Sequence, residues 1–312
     1  MKHRLLQFDR LQPSLEAALA ERYDVHPLWQ ESDPAAFLAQ RGHEFVALVT
    51  RAASGADAAL IGALPSLRII SSFGVGLDKI DLDAARQRGI AVGYTPDVLN
   101  DAVADTAFGL LLDVARGLSS ADRFVRRGEW PKKNFPLAVQ VSGKKLGILG
   151  LGRIGRVIAR RAAGFDMEVR YHNRRRLDDA PYAYEASLED LARWADFLVI
   201  ASAGGPEARH LVSAKIIDAL GPQGFLINIS RGTVIDEAAL VEALAQRRIA
   251  GAGLDVFENE PHVPEALFAL ENVVLLPHIA SATHETREAM AALVLENLDH
   301  FFAQGAPKAS AI

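Results

Sequence analysis

The sequence predicts an α/β fold built from two doubly wound parallel sheets, and three observations predict it. Short apolar runs alternate with alanine- and charge-rich segments of helical period along nearly the whole chain, the pattern of parallel strands covered by helices. One such run, Lys144–Leu149, closes on Gly150-Leu151-Gly152-Arg153-Ile154-Gly155, and Ile154, Val157, Ile158, Ala162 and Phe165 then recur at helical spacing. The length, 312 residues, exceeds what one small core supports and suits two domains.

The strand–glycine turn–helix order makes the glycines specific. Gly150 permits the tight turn, Gly152 lets the backbone approach a pyrophosphate, and Gly155 lets the helix pack closely on the sheet. Free N–H groups and the helix dipole favour a phosphate at this helix start. A dinucleotide-binding domain is therefore expected around residues 150–155.

Taken in order, residues 1–97 form a first domain. Its strands are expected at Arg4–Phe8, Phe45–Val49, Leu67–Ser72 and Ile90–Val92. Helices are expected at Leu15–Arg22, Pro34–Gln40, Ala56–Ala63 and Ile80–Arg88, with Gly89 as the stop of the last. Thr95-Pro96 interrupts the pattern, and a long helix starts at Asn100, with Val103, Ala107, Leu110, Leu111, Val114 and Leu118 on one face. That face suits a dimer contact or packing within the domain about equally well. After a loop holding Gly128, Pro131 and Pro136, six strands are expected: Lys145–Leu149, Glu168–Tyr171, Phe197–Ala201, Phe225–Ile229, Ala252–Asp255 and Val273–Leu276. Helices at Arg153–Ala163, Ser187–Trp194, Ser213–Leu220 and Glu237–Arg247 separate them. These strands complete a six-stranded dinucleotide domain over 98–283. A last helix, His284–Phe302, is expected to return to the first domain, making 284–312 part of it. The tail Gly305–Ile312 reads as frayed.

Composition narrows the function. With 34 Lys and Arg against 39 Asp and Glu, the net charge is −5, and no basic field calls for nucleic acid. Having no cysteine, the chain has no disulfide, thiolate metal site or thiol nucleophile, and no metal is expected. No window is apolar enough to span a bilayer and the first residues do not form a signal peptide, so a cytoplasmic protein is expected. Asn228-Ile229-Ser230 matches the glycosylation triplet but ends an apolar run.

The residue eighteen places after Gly155 decides the dinucleotide. Domains of this type usually carry an acid there to hold the ribose 2′-hydroxyl of NAD. Here it is Asn173, followed by Arg174, Arg175 and Arg176. A carboxylate about 4 Å from a phosphate charge would cost on the order of 4 kcal/mol per charge pair at an effective dielectric near 20. Asparagine removes that penalty, and an arginine supplies paired donors for a 2′-phosphate. NADPH is expected over NADH, with Arg174 the first candidate contact and Arg175 or Arg176 next; a solvated arginine turn is the alternative.

Ligands of open α/β sheets bind at the carboxyl ends of strands. Arg231, Glu260 and His278 each follow such an end. An arginine can grip a substrate carboxylate and polarise its carbonyl, a histidine can donate the proton needed when hydride arrives, and a carboxylate can orient that histidine. The set suits reduction of a 2-keto acid. Individually, Arg231 also suits a structural ion pair, Glu260 a proline turn, and His278 a satisfied loop position.

The motifs Gly150–Gly155, Asn228–Glu237, Gly253–Pro261 and Pro277–Thr283 together resemble those of the D-isomer-specific 2-hydroxyacid dehydrogenase family, over nearly the whole chain. The resemblance is to its NADPH-dependent glyoxylate/hydroxypyruvate reductases and hydroxyphenylpyruvate reductases. It implies two Rossmann-like doubly wound domains, with a dinucleotide-binding domain inserted in a flavodoxin-like substrate domain. It implies that Arg231 binds substrate, Glu260 pairs with the histidine and His278 is the acid/base. Asp255 is implied near the nicotinamide, and the N–H groups of Val75 and Gly76 as receivers of the substrate carboxylate. Thr106, Arg153 and Ile154 are implied as cofactor contacts. Ser230 stands where relatives often have alanine and could touch the cofactor or simply be small. Ala203-Gly204-Gly205 replaces the proline-and-threonine loop of many relatives. Leu77, Trp130, Phe73 and the loop at Phe135 could line the substrate pocket. Closure about residues 94–100 and 280–285 would exclude water. The expected product is the D-2-hydroxy acid, the expected assembly a homodimer. Two rival functions stay open: a phosphite- or formate-type dehydrogenase on this scaffold, and a non-catalytic dinucleotide-sensing corepressor.

Overall fold

The structure, a computed structural model, describes residues 2–312. They fall into two compact units: one runs to Leu99 and takes in Thr283–Ile312, and the other is Asn100–Ala282. In the first unit the order is β1 (Arg4–Gln7), α1 (Pro13–Arg22), β2 (Asp24–Pro27), α2 (Pro34–Arg41), β3 (Ala47–Arg51), α3 (Ala58–Gly62), β4 (Ile69–Phe73), α4 (Leu82–Gln87) and β5 (Ala91–Gly93). The second unit holds α5 (Asn100–Arg116), α6 (Leu118–Arg126), β6 (Lys145–Leu149), α7 (Arg153–Ala162), β7 (Glu168–His172), β8 (Ala183–Tyr184), α8 (Leu188–Trp194) and β9 (Phe197–Ile200). It continues through α9 (Ala214–Leu220), β10 (Phe225–Asn228), α10 (Glu237–Ala245), β11 (Gly251–Leu254) and β12 (Val273–Leu275). Helix α11 (His284–Gln304) belongs to the first unit.

Both sheets are parallel throughout, in the orders β2-β1-β3-β4-β5 and β12-β11-β10-β9-β6-β7-β8. In each, the strand order reverses beside the first long strand, the doubly wound arrangement that the alternation predicts. Parallel strands are covered on both faces and so read as continuous apolar runs. Phe197, Leu198, Val199 and Ile200 of β9 are all fully buried, as are Leu226 and Ile227 of β10. Short acceptor side chains start many of the helices: Asp33, Asp57, Asp81, Ser187, Asp236 and Thr283 each accept a first-turn N–H. Such caps are worth about 0.5–2 kcal/mol each.

Four sequence expectations are corrected. The long helix stops at Arg116, because Gly117 takes a left-handed φ of 62° and α6 starts in a new direction. Leu118 therefore leaves the buried face and is 51% exposed. Two strands are added: β2, whose Asp-Val-His-Pro sequence reads as a turn, and the two-residue edge strand β8, so the second sheet has seven strands rather than six. Finally, the tail is not frayed. Ala309 accepts from Tyr94 N (3.2 Å), Ala311 N donates to Val92 O (2.8 Å), and Asn297 Oδ1 takes Ala309 N (2.8 Å). Among the described residues no helix is long and apolar enough to cross a membrane, and no cluster of His, Cys, Asp and Glu could hold a metal.

Candidate active site

The carboxyl rim of the seven-stranded sheet carries most of the residues singled out by the sequence. At β6, Gly150 has a φ of 99°, and a Cβ on it would lie 2.5 Å from Ser202 N and 2.8 Å from Ala201 C. A Cβ on Gly155 would lie 2.2 Å from Gly150 O. Both glycines are thus demanded by the protein's own packing. Gly152 differs: a Cβ there meets nothing within 4 Å. Its lack of a side chain keeps space open at the N-terminus of α7, whose first turn takes no side-chain cap. The Ser202 hydroxyl, against this turn, is buried without a partner among the described residues. An open approach to the start of α7 with an orphaned hydroxyl beside it fits a dinucleotide phosphate.

At the end of β7, Asn173 Oδ1 accepts the Leu151 N–H at 2.7 Å. A backbone N–H can only donate, so this bond fixes which end of the amide is the acceptor, and the NH₂ of Asn173 takes no partner among the described residues. Arg174, Arg175 and Arg176 are exposed, and Arg174 pairs with Glu207 from the loop after β9. Thr106 donates to Ala102 O (3.2 Å) and Ala280 O (3.4 Å). Arg153 and Ile154 open α7.

The other half of the rim is built by side chains. Asn228, fully buried at the end of β10, accepts from Ser230 N and Ser230 Oγ (both 3.0 Å) and donates to Arg231 O (3.0 Å). This bracket shapes the turn that presents Arg231. It also occupies the Ser230 hydroxyl, favouring the structural role over a cofactor contact. Asp255, at the end of β11, is fully buried. Its carboxylate accepts Ile279 N (2.7 Å) and Ala280 N (2.9 Å), and its carbonyl accepts His278 N (2.9 Å). Burial pushes the Asp255 carboxyl up, against the pull of those two amides and the nearby His278. One acid thereby holds three successive N–H groups. His278 sits among them with a left-handed φ of 54°, a conformation uncommon outside glycine.

His278 Nδ1 meets Glu260 Oε2 at 2.7 Å, and Glu260 Oε1 accepts Phe257 N at 3.1 Å. Burial raises the Glu260 carboxyl. The hydrogen bond and charge of His278, the Phe257 amide and the Arg231 guanidinium together outweigh burial and leave it below the usual range. Arg231, Glu260 and His278 are thus brought into one electrostatic group, while Nε2 of His278 has no partner among the described residues.

Val75 and Gly76 belong to the other unit, after β4. Thr95 clamps the preceding Gly74 from both sides, Oγ1 taking its N–H and N–H reaching its carbonyl, both at 3.0 Å. The N–H groups of Val75 and Gly76 themselves take no partner among the described residues.

Sequence reasoning gave no role to the brace behind Glu260. Glu258 is 17% exposed in its side chain; Arg209 (2.6 Å) and His210 (3.3 Å) converge on its Oε1. Its N–H donates to Glu237 Oε1 at 3.0 Å. A Cβ on Gly232 would collide with the Phe257 carbonyl carbon at 1.9 Å, so the β10 and β11 loops are in direct contact. Glu237 and Glu258 stand inside motifs already quoted, and only the fold shows that they face each other.

A doubly wound sheet with this glycine turn and an Arg–Glu–His rim is that of a dinucleotide-binding oxidoreductase. Residues 108–280 match the family described as "D-isomer specific 2-hydroxyacid dehydrogenase, NAD binding domain". Hydroxyphenylpyruvate reductase from Plectranthus scutellarioides is 49% identical over 288 residues, covering 92% of each chain. Glyoxylate/hydroxypyruvate reductase A from Arabidopsis thaliana is also 49% identical over 288 residues, with the same coverage. Among solved structures, NADPH-dependent glyoxylate/hydroxypyruvate reductase from Sinorhizobium meliloti, in complex with NADP and malonate, is similar with a TM-score of 0.92 and 39% identity, over 100% of this chain and 97% of that one. The chain belongs to the D-isomer-specific 2-hydroxyacid dehydrogenase family.

Proposed function

We propose that this protein reduces a small 2-keto acid of the glyoxylate/hydroxypyruvate type to its D-2-hydroxy acid, using NADPH. The observation that carries the chemistry is the 2.7 Å pairing of His278 Nδ1 with Glu260, which leaves Nε2 without a partner among the described residues. The nicotinamide, when bound, supplies the hydride. His278 Nε2 donates the proton to the carbonyl oxygen, and Glu260 holds the imidazole correctly turned through Nδ1. Arg231 grips the substrate carboxylate and polarises the carbonyl. Asp255 fixes the backbone of 278–280. The Val75 and Gly76 N–H groups are assigned to the substrate carboxylate. For the cofactor, Gly150, Gly152 and Gly155 with Arg153 and Ile154 cradle the phosphates. Asn173 and Arg174, with Arg175 in support, take the 2′-phosphate, and Thr106 is a further cofactor contact, with Asp255 toward the nicotinamide. Relatives named for glyoxylate, hydroxypyruvate and NADPH support the substrate class and the cofactor. The exposed apolar side chains of Leu118, Val125, Trp130 and Leu137 support a homodimer.

One panel tests the reading: initial rates with glyoxylate, hydroxypyruvate, pyruvate, 2-ketogluconate and phenylpyruvate, each with NADPH and NADH. The expected result is the highest kcat/KM with hydroxypyruvate or glyoxylate and NADPH. Equal use of NADH sinks the cofactor assignment, and absence of turnover on every acid sinks the enzyme reading.

A further inference from the structure

We propose that Glu207 sets this protein's discrimination for the 2′-phosphate, by competing with that phosphate for Arg174. The inference rests on the NADPH reading above and deepens it.

The sheet order places β6 between β7 and β9. Arg174 stands two residues beyond the end of β7, and Glu207 lies in the short turn Pro206–Ala208 after β9. The strands are parallel, so both loops leave the same edge of the sheet, and the ion pair from Arg174 Nη1 to Glu207 Oε2 spans the carboxyl end of β6. That end is where the glycine turn emerges and where a dinucleotide's adenosine half lies in a doubly wound sheet. Glu207 therefore holds the guanidinium beside the position of the ribose.

The neighbouring charges single out this pair. Of the two acids that follow the arginine run, Asp178 and Asp179, the second is taken by Arg156 at 2.6 Å. Arg175 and Arg176 form no ion pair among the described residues. Of the three arginines, Arg174 alone must give up a carboxylate, or share its donors with one, when a 2′-phosphate arrives. A phosphate monoester brings up to about two negative charges and three acceptor oxygens, and so prevails over a single carboxylate. The side chains of Arg174 and Glu207 are 87% and 81% exposed, so their mutual attraction is weak and salt-screened. A ligand without the 2′-phosphate gains nothing from Arg174 and is indifferent to Glu207.

The test is isothermal titration of the full chain with adenosine 2′,5′-bisphosphate and with 5′-AMP, which differ only in the 2′-phosphate, so no turnover is needed. The wild type is expected to prefer the bisphosphate, and Arg174→Ala to lose most of that preference. Glu207→Gln is expected to bind the bisphosphate about two- to five-fold more tightly, with 5′-AMP unchanged. In the double variant Arg174→Ala/Glu207→Gln the gain should vanish, which shows that Glu207 acts through Arg174. If the wild type prefers the bisphosphate and Glu207→Gln leaves both affinities alone, or moves both equally, the Glu207 proposal falls and the NADPH reading stands. If the wild type binds the two ligands equally, the NADPH reading falls and takes the proposal with it.

Discussion

The two halves of the seven-stranded rim are made of different materials. Around β6 the site is backbone and empty space: Gly152 opens onto nothing within 4 Å, and the charged side chains nearby are solvated. Around β10–β12 it is side chains held in place by other side chains and by amides, with Asp255 fully buried and Glu260 using both oxygens. Under the proposed function, the difference follows from what each half must do. A phosphate is recognised by N–H groups and needs room to approach. A proton donor must be held at one angle and in one charge state.

This contrast can be broken at either end. The largest effect is expected at the side-chain end. His278→Gln should lower kcat by about 10²–10⁴-fold, the usual worth of a positioned acid, while calorimetric NADPH affinity stays near wild type. Loss of cofactor binding with kcat intact would reverse the division of labour. At the backbone end, two glycines should fail differently. Gly150→Ala forces a side chain onto backbone at 2.5 Å in a left-handed conformation, so thermal stability should fall, by roughly 1–3 kcal/mol from conformational strain alone. Gly152→Ala has room and an ordinary φ of −86°, so the melting temperature should hold while NADPH binding weakens. A matching loss of stability in both would show that the open space at Gly152 is incidental.

The smallest and sharpest test is pH. The Glu260 carboxyl is held below its ordinary range, so its ionised form is favoured by folding. That contribution is present above the unfolded carboxylate pKa, near 4.3, and is lost only as pH falls through the lower folded value. The pair with His278 is therefore intact around neutrality. Glu260→Gln removes the titrating carboxyl that meets His278 Nδ1, so the acid limb that Glu260 contributes to the kcat/KM profile should be lost. An unmoved limb would mean that Glu260 only fills the proline turn with Pro261.

The sequence exposed the backbone half more fully than the brace behind the side-chain half, for a physical reason. Glycine roles are written locally, because the turn, the open approach and the helix packing lie within Gly150–Gly155. The strands of the second sheet were legible because both faces are buried, leaving unbroken apolar runs. Strand β2 was not, since it is an edge strand and its Asp, His and Pro carry a turn signal. The break at Gly117 hid inside a helical period that runs through it. Arg231, Glu260 and His278 could be read from their positions after strand ends. The convergence of Arg209, His210 and Glu237 on Glu258 could not, because it joins segments that only the sheet order brings together.

Residues 309–311 do more than order a tail. Strand β5 is an outer strand of its sheet, and such strands present unpaired amides and carbonyls that invite pairing with another chain. The Tyr94 amide and the Val92 carbonyl are occupied from within the chain, through Ala309 and Ala311, with an antiparallel bridge between Gly93 and Ser310. The segment acts as a built-in guard against edge-to-edge aggregation.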